Sequence, residues 1–511
     1  MLGFSISRKS TGIHFAEWPV LGNLRFALVD LETTGGQAKQ DHIMEAAVRV
    51  VGGDIDLEWQ SLIDPLCSVP SFIQGLTGIS NGMLRGKPRF SDVQEALWSY
   101  LDGAILVAHN ARFDAGFLRA NFARYGRDYQ PRVLCTLKLA RTLYPDWPKH
   151  GLEAICARIG FYSEMHHRAM ADVDAMKAFL DYARIDKGEA VFNFEVGLLL
   201  GLPVLPPSIR QADIDAIPRE PGVYRLLGEA GELLYLGSAR SLQEQVLSHF
   251  ENATGDSKAA KLLRRVDAVQ WQMLAGELSA GLHLSVALRQ EKPLLQRRAK
   301  ALGKPCCVRF IMQDSGELQL RLRSGLPANI AQTGETVGLF RERQHAKTRI
   351  RELAKEHQLC LRRLAVLVEG EICECGACVL TAAGTGESVA VASAADFAAR
   401  VKAAFAEYLY TPWPFAEPVL IHEDNGAGFS ECHLVYDWRH FGSFRWNAER
   451  GQLLELSGSA EPLDLAGARR ICEQAQEFRY EHYRLLRAFQ HDLTWQPLSE
   501  FTATIGGEYT A

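Results

Sequence analysis

The sequence predicts a layered α/β fold with a mixed sheet for residues 1–185 of this 511-residue chain. Three strand-like segments, at 24–30, 42–51 and 58–63, follow one another and are joined by glycine-containing turns. A short apolar segment at 104–108 is typical of a buried strand and lies between helical patterns. Consecutive strands followed by strand–helix alternation favour a domain in which helices cover a sheet.

The helices of this first unit follow from the spacing of their apolar residues. A helical period is present at 90–101, before the fourth strand, and it returns in four segments after that strand. These segments are 114–125, 137–143, 152–159 and 171–185. Across 186–215 the period weakens and prolines at 203, 206 and 207 stiffen the backbone, which predicts a linker.

Two further units are predicted after the linker, in line with about 150 residues per domain. Residues 216–299 begin with two short strands, at 222–227 and 233–236, and continue with helical segments, so a smaller α/β domain is expected. Residues 300–511 are expected to form a mixed α+β region. It contains a basic helical stretch, a cysteine cluster, an alanine-rich helix at 392–408, strands near 419 and 441, and a long C-terminal helix.

The composition limits the classes of function that the chain can serve. Hydrophobic residues make up 47% and charged residues 23%, as in globular proteins, which excludes a disordered or collagen-like chain. The formal net charge is −5, so a nucleic-acid partner must be met by local basic patches or through metal ions. No apolar run approaches the roughly 20 residues that span a bilayer, and the first residues do not resemble an export signal. We therefore expect a cytoplasmic protein with no membrane partner, whose eleven cysteines are mainly reduced.

Carboxylates mark the ends of two predicted strands in the first unit. Asp30 and Glu32 lie two residues apart at the end of the first strand, where residues i and i+2 share a face. Two carboxylates held together repel each other unless a cation lies between them, and a pair of divalent metals serves in-line attack on a phosphodiester. For this pair alone, a solvated acidic strand end is the alternative. Asp114 follows the fourth strand, and His167 and Asp172 lie at the entry to the last helix, which favours a metal site.

The three motifs that contain these residues resemble a known family. The motifs D-x-E-T-T-G at 30–35, H-N-A-x-F-D at 109–114 and H-x-A-x-x-D at 167–172 occur in the order found in DEDDh 3′–5′ exonucleases. The likeness is closest to the epsilon proofreading subunit of bacterial DNA polymerase III and covers residues 22–183. It implies a ribonuclease H-like fold and a hydrolase that removes nucleotides from DNA 3′ ends, in replication proofreading or DNA repair.

The resemblance also implies catalytic roles. Two Mg²⁺ or Mn²⁺ ions would be held by the four carboxylates of Asp30, Glu32, Asp114 and Asp172. His167 would be the general base that deprotonates the attacking water, and a histidine suits this role because its pKa lies near physiological pH. His166 is adjacent, but only His167 keeps the family spacing to Asp172.

Four neighbouring residues are expected to assist at the same site. Thr33 and Thr34 would lie beside the terminal nucleotide of the substrate. His109 and Asn110 would support the end of the sheet. Ordinary hydrogen bonding at the ends of strands is the alternative for these side chains.

A second resemblance lies in residues 216–299. The segments 222–224 (G-V-Y) and 235–237 (Y-L-G) are similar to the motif of the GIY-YIG nuclease domain found in UvrC-type excinucleases and their Cho-like relatives. In that family a lysine, an arginine and a metal-binding glutamate complete the site, and the aligned positions here are Ser238, Gln245 and Ser285. A serine hydroxyl cannot replace a carboxylate as an anionic metal ligand, and a neutral glutamine cannot offset charge that develops on phosphate.

We therefore expect a degenerate GIY-YIG-like domain that serves mainly in DNA binding. Its remnant site consists of Tyr224, Tyr235, Gln245 and Ser285. Its phosphate contacts could come from Lys258, Lys261, Arg264 and Arg265. Two alternatives are an excision-repair endonuclease that incises DNA with this domain and a non-catalytic DNA-binding scaffold. The motifs of the first unit also fit an RNA exonuclease.

The C-terminal region adds a cysteine cluster and a basic segment. The cluster consists of Cys360, Cys373, Cys375 and Cys378, and its surroundings resemble the cysteine region that follows the nuclease unit in Cho-like proteins. Four thiols this close suit Zn²⁺ or an iron–sulfur cluster, and plain reduced thiols are the alternative. Residues 341–363 carry eight Lys/Arg against three Glu, so they could track a phosphate backbone or form a solvated helix face.

The resemblances also bear on the partners of the protein. They imply DNA as the substrate and a replicative polymerase or sliding clamp subunits as further partners. Residues 490–495 faintly resemble a clamp-binding peptide, and a plain helix end is the alternative there.

Overall fold

The structure is a computed structural model that describes most of the chain. The described residues are 4–5, 24–52, 55–162, 168–251, 253–255, 257–296, 304–326, 337–367, 373, 375, 393–426, 428–447, 452–455, 462–474 and 476–501. Within them the strands form four sheets, and helices pack against these sheets.

The first unit is built on a five-stranded mixed sheet. After β1 (Phe4–Ser5), which joins a different sheet, the strands of this unit are β2 (Phe26–Thr33), β3 (Ile43–Gly52), β4 (Ile55–Leu62), β5 (Ile105–Ala108) and β6 (Val133–Cys135). Their spatial order is β4-β3-β2-β5-β6. β2, β5 and β6 run parallel, and β3 is antiparallel to both of its neighbours. This places β2 at the centre of the sheet.

Helices cover both faces of this sheet. They are α1 (Ser71–Thr77), α2 (Asn81–Leu84), α3 (Phe90–Leu101), α4 (Arg112–Ala123), α5 (Thr136–Leu143), α6 (Leu152–Ile159), α7 (Ala169–Lys187) and α8 (Glu189–Leu200). Val29 and Leu31 of β2 pack with α3 and α4, and Leu28 packs with α5 to α8 on the opposite face. A central strand that is buried on both faces is apolar throughout, as the sequence of β2 is before Asp30. The predicted layered α/β fold with a mixed sheet is confirmed.

The structure differs from the predicted linker at 186–215. Helix α8 lies there, followed by α9 (Gln211–Asp215). On α8, Val196 packs into the core of the first unit, whereas Phe194 and Leu198 pack into that of the second. A helix that is buried on two sides has apolar residues all round and shows no single helical face, so its sequence pattern is weak.

The second unit has an antiparallel sheet of β1, β7 (Gly222–Leu227), β8 (Leu233–Ala239) and β9 (Ala268–Met273), in the order β1-β9-β7-β8. Its helices are α10 (Leu242–Glu251), α11 (Lys258–Leu263) and α12 (Glu277–Gln290). Tyr224 packs with α10 and α11, and the preceding Val223 packs with α12. Because successive residues of a strand point to opposite faces, α10 and α12 cover opposite faces of the sheet.

The C-terminal region contains two sheets. The first has β10 (Cys306–Met312), β11 (Leu318–Ser324) and β12 (Val337–Phe340) in the order β11-β10-β12. It packs with α13 (Arg343–Glu356) and α14 (Ala394–Ala404), and a 3₁₀ turn follows at Ala406–Tyr408. These elements form one hydrophobic core, in which Phe340, Ile350 and Phe397 are buried.

The second C-terminal sheet has five antiparallel strands. They are β13 (Val419–Asp424), β14 (Ser430–Tyr436), β15 (Arg439–Asn447), β16 (Gln452–Glu455) and β17 (Thr494–Pro497), in the order β16-β15-β14-β13-β17. The accompanying helices are α15 (Leu465–Cys472) and α16 (Tyr480–Ala488), so the C-terminal helix is shorter than predicted. Among the described residues, no helix combines the length and apolar character that crossing a membrane requires.

Candidate active site

The carboxyl end of β2 presents two acidic side chains to one face of the sheet. Asp30 and Glu32 alternate with the buried Leu31, as the two-residue period of a strand requires. Both are partly buried, although acidic side chains are usually solvated. A β-bulge between Glu32 and Thr33 shifts the pairing with β3, and bulges often re-aim side chains next to active sites.

Two helices bring further carboxylates to this strand end. Asp172 lies in the first turn of α7, and one oxygen each of Asp30, Glu32 and Asp172 lies within 4.8 Å of the other two. Asp114 lies in the first turn of α4, is 3% exposed, and accepts a hydrogen bond from the N–H of Leu31. The structure therefore gathers all four predicted carboxylates at the end of β2.

Burial and mutual repulsion raise the pKa values of these carboxyl groups. Burial is the largest cause, and it raises the pKa of Asp114 to about 7. Burial, followed by repulsion from Asp172, raises the pKa of Glu32 to about 8. Burial and then repulsion from Asp114 raise the pKa of Asp30 well above its ordinary value. Divalent cations would relieve this repulsion, so the donor set fits the metal pair that the family resemblance implies.

A fifth carboxylate, which is buried, borders the cluster and was missed by the sequence analysis. Glu45 lies opposite Glu32 in the β2–β3 pair and is 3% exposed. Its carboxylate accepts hydrogen bonds from Nη2 of Arg168 at 2.7 Å and from the N–H of Ala169 at 3.2 Å. Since α7 begins at Ala169, Glu45 ties the start of this helix, and with it Asp172, to the sheet. The sequence feature that could have pointed to Glu45 is its position as the single acidic residue within the apolar sequence of β3.

We expect Arg168→Met to destabilise the protein by about 3 kcal/mol, because it leaves the Glu45 carboxylate buried without its cation. Adding Glu45→Gln should recover most of this loss, since the amide carries no charge. Chemical denaturation of the single and double variants measures both free energies of unfolding. Equal losses in the two variants would show that the pair is not coupled.

Thr33 and Thr34 make internal hydrogen bonds. Thr33 Oγ1 donates to the carbonyl of Gly35 at 2.7 Å, and Thr34 Oγ1 accepts from the N–H of His42 at 2.9 Å. Both side chains are buried. Their hydroxyls thus make ordinary hydrogen bonds at the end of a strand, which was the alternative for these side chains. Contact of Thr33 and Thr34 with a nucleotide stays a prediction.

His109 and Asn110 follow β5 at the same end of the sheet. His109 Nδ1 lies 3.0 Å from Oγ1 of Thr136, at the start of α5. Burial lowers the pKa of His109 to about 4, so its ring is neutral. Asn110 has a φ of 62°, a left-handed conformation that asparagine adopts more readily than most residues. These features fit a role in shaping the sheet end.

The proposed general base and one further carboxylate of α7 lie close to the cluster in the sequence. His167 and its neighbour His166 lie outside the described residues, so the general base stays a prediction. Asp174 on α7 is 42% exposed and pairs with Arg49 at 3.0 Å. This carboxylate is neutralised by an arginine and belongs to the surface of the domain.

The second unit keeps its tyrosine pair in a closed environment. The rings of Tyr224 and Tyr235 stack with centroids 6.1 Å apart, and Tyr224 is 1% exposed. The Tyr224 hydroxyl lies 2.8 Å from Nε2 of His249, which follows Gln245 by one turn of α10. Burial is the main cause that raises the pKa of Tyr224, so its phenol is neutral. A Cβ added at Gly237 would approach the Tyr224 ring to 2.6 Å, which explains glycine in the Y-L-G motif.

Ser285 contacts the C-terminal unit. Its hydroxyl lies 3.1 Å from Nε2 of His482 on α16, a helix that packs against α12. Burial lowers the pKa of His482 to about 3, so this imidazole is neutral. Glu423 of β13 also caps α12, accepting hydrogen bonds from the N–H groups of Leu278 at 3.0 Å and Ser279 at 2.6 Å. The helix that would carry the metal-binding glutamate is thus used to hold the C-terminal unit.

The basic residues expected to contact phosphate near α11 are only partly available. Arg264 pairs with the buried Glu195 of α8 at 2.9 Å, and Arg265 pairs with Glu232 at 3.1 Å. Lys258 and Lys261 are exposed on α11. The expectation is wrong for Arg264, because its side chain fixes α8 to the second unit.

Three of the four clustered cysteines converge. The sulfur atoms of Cys360, Cys373 and Cys375 lie within 4.8 Å of one another, and those of Cys360 and Cys373 are 3.9 Å apart. Burial raises the pKa of the Cys373 thiol, but hydrogen bonds, led by that from the Cys375 N–H, lower it overall to about 7. Thiolates are the form that binds metals, so these three residues fit a metal site. Cys378 lies outside the described residues.

Comparison with known proteins identifies two nuclease domains. Residues 28–180 match the family model described as an exonuclease, and residues 220–294 match that described as a UvrC-like GIY-YIG domain. The fold, the carboxylate cluster and these matches define the chain as one that carries an exonuclease domain and a UvrC-like GIY-YIG domain. Both resemblances found in the sequence are confirmed.

Individual relatives combine or separate these parts. A Mycobacterium tuberculosis protein named as a bifunctional exonuclease/endonuclease is 32% identical over 295 residues, which are 54% of this chain and 44% of that protein. The PolC-type DNA polymerase III of Clostridium perfringens is 35% identical over 159 residues, or 31% of this chain and 11% of the polymerase. The chain thus spans less than half the length of these relatives. Among solved structures, exonuclease X in complex with 5′ overhanging duplex DNA is 25% identical with a TM-score of 0.27, covering 32% of this chain and 93% of that one.

Proposed function

We propose that this protein is a metal-dependent 3′–5′ exonuclease that shortens DNA from its 3′ ends and releases nucleoside 5′-monophosphates, in replication proofreading or DNA repair. The observation that carries the proposal is the convergence of Asp30, Glu32, Asp114 and Asp172 at the end of β2. It lies within the residues that match the exonuclease family, and the relatives named above support it.

Each part of the proposed site has a task. Two Mg²⁺ or Mn²⁺ ions would be held by the carboxylates of Asp30, Glu32, Asp114 and Asp172. When bound, such ions activate a water molecule and stabilise the attacking and leaving oxygens of a phosphodiester. His167 would accept a proton from the attacking water. Glu45 and Arg168 would act as positioning residues that hold the start of α7 in place.

Oligonucleotides of one sequence test the substrate. Single-stranded DNA, a mismatched primer on a DNA template and single-stranded RNA are each incubated with Mn²⁺ or with EDTA. We expect digestion of both DNA substrates that requires the metal. Digestion that persists in EDTA would oppose the proposal, and faster digestion of RNA than of DNA would make the protein an RNA exonuclease.

For the GIY-YIG domain we propose a role in binding without incision, because Ser238, Gln245 and Ser285 replace the charged residues that act on phosphate. An exonuclease-dead variant, Asp30→Asn with Glu32→Gln, should leave covalently closed plasmid and lesion-bearing duplex intact in Mg²⁺ or Mn²⁺. Gel electrophoresis of the plasmid detects a single nick. Metal-dependent nicking that disappears on Tyr224→Phe would restore the excision-repair alternative.

For the cysteine cluster we propose bound Zn²⁺ or an iron–sulfur cluster. Metal analysis of anaerobically purified protein should find one of these metals in near-stoichiometric amount. Cys373→Ser with Cys375→Ser should release it, whereas Cys67→Ser should not, because Cys67 is exposed and lies outside the cluster. Absence of both metals from the wild-type protein would leave reduced thiols as the correct interpretation.

A replicative polymerase is the partner that we propose, acting with the protein in the cytoplasm. Support comes from the PolC-type relatives, in which a segment similar to the exonuclease part belongs to a polymerase. A sliding clamp is less well supported, because residues 494–497 pair with β13 and Trp495 packs against Trp413 and Phe415. Affinity capture with the full chain would identify either partner.

A further inference from the structure

A groove in the C-terminal region has basic walls and an apolar floor. It lies between β11 and α13 and has a volume of about 330 Å³. Its basic side chains are those of Arg321, Arg343, Lys347 and Arg351. The apolar lining includes the partly exposed Leu322 and Val366, together with Leu320 and Ile350, which belong to the buried core of this unit. The groove lies outside both nuclease domains.

The positive charge is concentrated in this part of an acidic chain. Residues 304–326 and 337–367 carry twelve Lys/Arg against five Asp/Glu, whereas the whole chain has a formal net charge of −5. Arg349 and Arg363 on the same unit pair with glutamates. Within the described part of the chain, Arg321, Arg343 and Lys347 have no carboxylate partner, so their charges face the groove without neutralisation.

The start of α13 contributes to the positive charge of the groove. The first turn of α13 has no acidic residue and begins with Arg343, a cation that opposes the helix dipole. The N-cap residue, Glu342, pairs with Arg341. The attraction of the groove for an anion therefore comes from its basic side chains.

We propose that this groove binds the backbone of single-stranded DNA. The unpaired cations suit successive phosphates, and the apolar floor suits sugar and base faces that a duplex would hide. The inference rests on the proposed function, since it takes the DNA substrate of the exonuclease as the occupant. Under this proposal the groove raises affinity for long strands and takes no part in the chemistry.

The test compares two variants that each lose two exposed cations. Arg321→Gln with Lys347→Gln removes two of the four basic side chains of the groove, and Lys402→Gln with Arg470→Gln removes two charges from α14 and α15, outside the groove. Both are made in the exonuclease-dead full chain, and their thermal unfolding is checked. Binding of a 5′-labelled 20-nucleotide single strand is followed by fluorescence anisotropy at several salt concentrations.

The groove variant should bind at least tenfold more weakly at low salt. Its plot of log affinity against log salt should be less steep by about 1.4, because each phosphate contact to a single strand contributes about 0.7 to the slope. The control variant should behave like the parent. Equal loss in both variants would overturn the proposal in favour of a general charge effect. If the groove variant lost affinity for an RNA strand of the same sequence but not for DNA, the assignment to DNA would be overturned.

A minimal substrate separates this proposal from that for the active site. In the catalytically competent chain, hydrolysis of the p-nitrophenyl ester of thymidine 5′-monophosphate reports the exonuclease centre without a long strand. The groove variant should hydrolyse the ester at the parental rate and show a raised KM only on long DNA. If the parent fails to hydrolyse ester and DNA alike, the proposed function is wrong, while the binding experiment still decides the groove.

Discussion

Asp30→Asn with Glu32→Gln is expected to lower exonuclease turnover by about a thousandfold or more. Both side chains lie in the carboxylate cluster, and each replacement removes an anionic ligand that the proposed metal pair requires. A metal pair contributes several kcal/mol to the stabilisation of the transition state, and each 1.36 kcal/mol corresponds to a factor of ten in rate. The rate is measured on 5′-labelled single-stranded DNA in Mn²⁺. Asp174→Asn is the matched control, because it removes a carboxylate of α7 that pairs with Arg49 outside the cluster.

The same variant should become more stable than the parent when no metal is present. The folded-state pKa of Glu32 is about 8 against an ordinary value of 4.5, so the folded protein holds a proton that the unfolded chain releases. The stability of the metal-free parent must therefore fall as pH rises from about 4.5 to 8. The amides of the variant should make this fall smaller and leave the part that comes from Asp114, whose pKa burial raises to about 7. Thermal unfolding in EDTA across this pH range measures the effect. Full activity in the double variant, or a pH dependence unchanged from the parent, would contradict the assignment.

His167→Ala is expected to lower turnover by about 10²–10⁴-fold while metal binding is retained. A general base contributes a factor of this size, and the imidazole is not among the proposed metal ligands. His166→Ala is the control, since it removes the neighbouring ring that does not keep the family spacing to Asp172. Single-turnover kinetics and Mn²⁺ titration are carried out on both variants. Loss of Mn²⁺ binding in His167→Ala would show that His167 is a metal ligand. A larger effect of His166→Ala on turnover would make His166 the general base.

Two kinds of sequence information predicted the carboxylate cluster. The strand period places Asp30 and Glu32 on one face. The resemblance of the three motifs to the exonuclease family implies that Asp114 and Asp172 join them. Glu45 was missed because its partner, Arg168, is 123 residues away and a single charge in a strand usually faces solvent. The sequence of one strand contains no information on such a partner.

Other features escaped prediction because they depend on contacts between units. Helix α8 packs into two cores, so its sequence lacks the one-sided pattern that marks a helix. Ser285 could be aligned with a metal-binding glutamate, but its hydrogen-bond partner, His482, lies 197 residues further along the chain. Likewise, the sequence showed that Arg264 is basic, and only the fold shows that Glu195 already neutralises it.

The polarity and products of DNA digestion test the central claim most directly. A single strand labelled at its 5′ end, and the same strand labelled internally, are digested by the wild-type protein in Mn²⁺. We expect the 5′-labelled strand to shorten one nucleotide at a time, with its label kept on the remaining strand. The internal label should appear as a nucleoside 5′-monophosphate. Immediate release of the 5′ label, or products that begin as internal fragments, would show that the cluster at Asp30, Glu32, Asp114 and Asp172 is not a 3′–5′ exonuclease centre.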